Sequence, residues 1–77
     1  MNIFEEKGIT HLDLHGVRHQ DAQIESLDFI YQYQDRLPLL IICGNSNKMV
    51  DLISKYLDFK DICFSSPRFG IIRVEKI

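Results

Sequence analysis

The run Leu39-Leu40-Ile41-Ile42-Cys43 most constrains what this chain can fold into. Five consecutive apolar residues, preceded by Pro38 and followed by Gly44, are strand-length, and an unbroken apolar strand is the kind expected in a parallel sheet. Segments with helical periodicity flank it. Residues 19–36 place Ile24, Leu27, Ile30 and Tyr31 at helical spacing, with Gln, Asp and Glu on the opposite face. After the run, Gly44-Asn45-Ser46-Asn47 forms a turn rich in N-cap residues, with Ser46 read as the helix cap. A second helix then reaches about Leu57, with Val50, Ile53 and Leu57 in one stripe and Met49 and Tyr56 beside it. Residues 8–15 predict a strand ended by Gly16, and residues 61–65 a short one. Ser66-Pro67-Arg68 predicts a break, and residues 70–76 the final strand. The expected order is β-α-β-α-β-β, a two-layer α/β sandwich with a small mixed sheet.

At 77 residues the chain predicts a single domain spanning 1–77. Its hydrophobic fraction of 45% rules against disorder, because a disordered chain lacks the apolar surface to offset its ordering entropy. A net charge of −2 argues against a nonspecific DNA coater, which needs a basic domain, but leaves room for a local cationic patch. The opening MNIFEEKGIT has glutamates where a signal peptide carries lysines, and no apolar run nears the ~18 residues of a membrane span. Cys43 and Cys63 sit in apolar segments and form no C-x-x-C pair, so both are expected as buried, reduced thiols. A cytoplasmic setting without membrane attachment is the expectation.

The first predicted strand carries the chemistry. Thr10, Leu12 and Leu14 alternate with His11, Asp13 and His15, so the polar set shares one sheet face at spacings of roughly 6.5–7 Å. Ligands of βαβ units bind outside the carboxyl ends of the parallel strands, where His15 and Gly44 both fall. The second helix starts at that rim, and its free N–H groups and positive dipole end favour an anion such as phosphate. Three uses of this face stay open on the pattern alone. It can be an ordinary solvated face, an Asp/His reaction site, or a metal site built from His11, Asp13 and His15 with His19 as a fourth ligand.

The segment Leu12-Asp13-Leu14-His15-Gly16, continued by Val17-Arg18-His19-Gln20-Asp21-Ala22, resembles the opening motif of the Smr (small MutS-related) domain family. There D-L-H-G precedes a helix that starts near an alanine, matched here by Ala22. The family's T-G-x-G signature falls at Cys43-Gly44-Asn45-Ser46, where only the first glycine is kept. A glycine opening the last strand with a valine four residues on is matched by Gly70 and Val74. The resemblance covers almost the whole chain, and its βαβαββ fold is similar to the C-terminal domain of translation initiation factor three.

The resemblance implies nucleic-acid binding with nicking or RNA endonuclease activity. Asp13 and His15 would take the D-x-H positions, and the Gly44 turn would lie against the backbone of RNA or DNA. The His15 imidazole suits a general acid or base. Asp13 would orient an imidazole, hold a metal or position water. With RNA, the 2′-hydroxyl is an internal nucleophile and metal is dispensable, so no cofactor is assigned and a divalent ion stays open. Backbone N–H groups of Asn45, Ser46 and Asn47 would steady charge on the phosphate. Lys48 and Arg18 are the nearest cationic partners, with Arg68 and Arg73 extending the patch. The missing threonine and second glycine of T-G-x-G keep an alternative in view: a noncatalytic nucleic-acid-binding module, or a protein-interaction module that dimerises. For that alternative Phe29 and Tyr33, four apart on a flank of the first helix, offer a partner or base-stacking surface, against the expectation that they widen the core contact.

Overall fold

The computed structural model describes residues 2–77. Its strands are β1 (Ile3–Glu6), β2 (Ile9–Asp13), β3 (Leu39–Ile42), β4 (Cys63–Arg68) and β5 (Ile71–Lys76). Two helices, α1 (His19–Gln32) and α2 (Asn47–Phe59), connect them, and a short 3-10 turn (Gln34–Arg36) follows α1. The five strands form one mixed sheet in the order β1-β2-β3-β5-β4. Only the β2–β3 pair is parallel. Both helices cover the same face, giving the expected two-layer α/β sandwich. Its core joins Leu12, Leu39, Ile41, Ile72 and Val74 of the sheet to Ala22, Phe29, Ile30, Met49, Ile53 and Leu57 of the helices.

The structure adds a strand ahead of the expected six elements. Glu6 pairs with Ile9 across a two-residue connection, Lys7-Gly8, in which both φ angles are positive (53° and 81°). That is the backbone of a type I′ hairpin turn, whose twist matches that of the strands it joins. Gly8 is therefore a turn residue and not the start of β2. The short sequence Ile3-Phe4-Glu5-Glu6 carries little strand signal by itself, and its pairing follows from the turn.

Helix α1 is shorter than residues 19–36 and rotated from its expected face. Ile24 is 63% exposed and Tyr31 45%, whereas Ala22, Ser26, Phe29 and Ile30 are buried. The small residues Ala22 and Ser26 set the face by letting the helix approach closely, a signal that a search for large apolar residues passes over. Phe29 belongs to the core and packs against Tyr33 with ring centroids 5.4 Å apart, so this aromatic pair widens the core contact. Helix α2 keeps its expected stripe, with Met49 more buried than Val50.

The chain after α2 also departs from expectation. Asp61 takes a left-handed conformation (φ 58°), its N–H donates to the Asp58 carbonyl (3.1 Å), and the Ile62 N–H donates to the Leu57 carbonyl (2.9 Å). This is a Schellman cap, with the buried Ile62 as its hydrophobic anchor. Asp61 and Ile62 thus close α2, and β4 begins at Cys63. It runs through Ser66-Pro67-Arg68 to the sheet edge, where proline is tolerated because one side of the strand needs no donors. Cys43 is buried as expected, but Cys63 is exposed because it lies on this edge strand.

Candidate functional site

The carboxyl ends of β2 and β3 lie side by side, since Asp13 pairs with Ile42 and the Leu14 N–H donates to the Ile42 carbonyl (2.9 Å). Leu14 is buried and anchors the chain as it leaves the sheet. The Val17 N–H then closes a turn onto the Leu14 carbonyl (2.9 Å), with Gly16 at φ 84° in the third position, where a type II turn requires a positive φ. His15 occupies the second position and is exposed at the tip. Asp13 Oδ1 accepts from the His15 backbone N–H (2.9 Å), an Asx-type bond that braces the turn from inside. The D-L-H-G run therefore has a physical reading residue by residue: brace, anchor, presented imidazole, turn glycine. Asp13 holds the backbone of His15 and has no hydrogen bond to its imidazole.

Two further turns complete this rim. Gly44 follows β3 at φ 74°, and the Cys43 N–H donates to the Gly70 carbonyl (2.7 Å) across the β4–β5 connection. Gly70 packs so tightly here that an added Cβ would stand 2.5 Å from the Gly44 carbonyl oxygen. After Asn45, Ser46 caps α2 by accepting from the Met49 N–H (3.1 Å), as expected from sequence. One of the free N–H groups at the start of α2 is thereby taken by the protein itself. Asn47 and Lys48 are exposed, and with Asp51, Ser54 and Phe69, which is 57% exposed, they line a shallow, open depression of about 470 Å³. Phe69 was not singled out by sequence, where it reads as one more residue of a turn. Arg18 is the exposed residue immediately before α1, and its side chain makes no capping bond.

The remaining candidates lie on the sheet face that the helices leave uncovered. His11 Nδ1 donates to the Ile9 carbonyl (2.8 Å), and its ring stacks on Phe4 of β1 with centroids 4.8 Å apart and planes 13° apart. Across β3, Arg73 of β5 approaches Glu75 Oε2 with Nε at 3.4 Å, and Ser65 Oγ donates to the same carboxylate oxygen (2.7 Å). Arg68 has no ion-pair partner among the described residues. It stands in the same cross-strand row as Asp13, Ile42 and Ile71, about 14 Å from Asp13 by three strand spacings. It is therefore separate from the His15 turn. His11, Asp13 and His15, one of three uses left open for this face, do not gather as a metal site: among the described residues no group of three His, Cys, Asp or Glu side chains is placed to hold an ion. His11 is committed to Phe4 and Ile9, Asp13 to the turn, and His15 to the tip beyond the strand.

Fold and rim together define a small two-layer α/β domain with three glycine turns gathered at the carboxyl ends of its parallel strands. No protein-family model, no curated protein and no solved structure matches the chain. Among the described residues no helix is long and apolar enough to cross a membrane.

Proposed function

We propose that this chain is a nucleic-acid-acting domain of the Smr-like kind, cleaving single-stranded RNA at the rim of β2 and β3. The observation that carries the reading is the turn at residues 13–16, where Asp13 fixes the backbone so that the His15 imidazole is presented to solvent at the carboxyl end of β2. In the cleavage step the imidazole takes the proton of the ribose 2′-hydroxyl, and the 2′-oxygen bonds to phosphorus. The P–O5′ bond then breaks, and the leaving oxygen gains a proton from solvent. The products are a 2′,3′-cyclic phosphate and a free 5′-hydroxyl. Lys48 and the backbone N–H groups of Asn45 and Asn47 would meet the phosphate from the α2 side. Asp13 acts on His15 through the backbone, so its part is to position.

A binding module without turnover is the second reading. It is favoured by the Ser46 hydroxyl, which occupies a helix N–H that an anion would otherwise use. Incubation with end-labelled single-stranded RNA and DNA, with and without EDTA, separates the two. The expected result is EDTA-resistant cleavage of RNA, abolished in His15→Ala, reduced in Asp13→Ala, where the bond to the His15 N–H is lost, and kept in Asp13→Asn, whose amide oxygen still accepts it. Equal cleavage by wild type and His15→Ala removes the imidazole from the mechanism. Binding that weakens steeply with salt, without cleavage, leaves the binding module. Absence of binding together with a dimer in sedimentation leaves the interaction module.

A further inference from the structure

The uncovered face of the sheet holds a second feature that the rim chemistry does not use. Phe4, His11, Leu40, Arg73 and Ser65 form one continuous row across all five strands, each paired with the next. Side chains paired in this way stand on the same face. Leu40 is thus flanked by the His11 ring, backed by Phe4, and on its other side by the Arg73 guanidinium. Two strand spacings separate His11 from Arg73, about 9.6 Å. A planar ring in contact with a wall on each side needs roughly 7–8 Å. The neighbouring row supplies the rest of an apolar floor in Ile42 and Ile71, with Arg68 at its end. All of these but Ser65 line a groove of about 370 Å³, at the lower end of the range for ligand sites.

From this geometry we infer that the groove is a nucleobase slot, taking one base of a single-stranded nucleic acid between the His11 ring and the Arg73 guanidinium. An aromatic ring on one wall, a guanidinium plane on the other and aliphatic side chains beneath are the surfaces on which bases stack regardless of sequence. The charge is also suited. Arg73 is partly balanced by Glu75, whereas Arg68 is unpaired among the described residues and free to meet a backbone phosphate. Glu6 lies at the opposite end of the groove, so the cationic end is the one level with Asp13. A strand leaving the slot at that end arrives at the His15 turn, and in this respect the proposal rests on the nucleic-acid reading of the rim. Duplex is excluded, because its bases are already stacked inward.

The test is fluorescence anisotropy of the full chain with fluorescein-labelled single-stranded and duplex decamers, over a salt series. Wild type is expected to bind single strands and not duplex. His11→Leu and Arg73→Gln are each expected to weaken binding at least five-fold with unchanged thermal melting. Arg68→Gln should lower the salt slope by about one. Lys55→Gln, on the far side of α2, should bind as wild type. Single-strand binding that is unchanged in His11→Leu, Arg73→Gln and Arg68→Gln overturns the slot and leaves the rim reading standing. Failure of wild type to cleave, with groove-dependent binding intact, overturns the rim and leaves the slot. A wild-type dimer that His11→Leu dissociates would show the face covered by a second copy, and would also overturn it.

Discussion

Two glycines of this chain allow conformational strain to be separated from steric close approach. Gly8 and Gly70 sit in the β1–β2 and β4–β5 hairpin connections with nearly the same φ, 81° and 86°. A Cβ at Gly8 meets nothing within 4 Å, whereas at Gly70 it would stand 2.5 Å from the Gly44 carbonyl oxygen and 3.3 Å from its carbonyl carbon. Gly8→Ala should therefore cost only the left-handed strain of an L-residue, about 1 kcal/mol. Gly70→Ala bears the same strain and must also push the Gly44 backbone aside, and overpacking of this kind adds about 1–3 kcal/mol. The total of roughly 2–4 kcal/mol is a large share of the ~4–12 kcal/mol that a domain of this length commands. Urea unfolding followed by far-ultraviolet circular dichroism reads both variants. With m near 1 kcal/mol/M, the midpoint should fall by about 1 M for Gly8→Ala and about 2–4 M for Gly70→Ala. Equal midpoints with equal m would refute the reasoning, since the Gly70–Gly44 contact would then have no energetic consequence.

The left-handed Asp61 that closes α2 is also a place where glycine is less strained, so Asp61→Gly should raise stability by about 0.5–1 kcal/mol, a gain of several degrees in thermal midpoint. Burial pushes the Cys43 thiol up from 9.0 to about 11. The folded protein therefore keeps a proton that the unfolded chain gives up, and this contribution is complete below pH 9 and lost as pH rises through 11. Between pH 9 and pH 10 wild type should lose about 1 kcal/mol more than Cys43→Ala, and parallel pH profiles of the two would contradict the assignment.

The sequence was legible where one residue type answers one need. The apolar run became β3, the alternation in β2 put Thr10, Leu12 and Leu14 inside, and Ser46 capped α2. It was less legible where placement depends on partners. The face of α1 is set by Ala22 and Ser26, which carry no hydrophobic signal large enough to outweigh Ile24 and Tyr31. The β1 strand exists because a turn pairs it, and β4 continues through Pro67 because it lies at an edge. The D-L-H-G turn could be located but not dissected, since the bond from Asp13 to the His15 backbone is a matter of local geometry. The unbroken run Leu39-Leu40-Ile41-Ile42 reads as a parallel strand, and an apolar run without alternation does not say which of its faces the helices cover. Only Leu39 and Ile41 are covered by helices, and Leu40 and Ile42 floor the open groove. Their partners Arg73 and Ile71 come from the far end of the chain, through a register that no local pattern announces.

The two-residue connection at Lys7-Gly8 locks the phase of everything outward of β2. It has no spare residue, so the alternation of β1 is tied to that of β2, and Phe4 is the residue that stands over His11. One inserted residue would shift the pairing by one position and turn every β1 side chain to the other face. Ile3 or Glu5 would then stand beside the imidazole, and Phe4 would turn toward the helices. The composition of the groove wall is thus fixed by a count of residues at one corner of the sheet, without any contact between that corner and the wall.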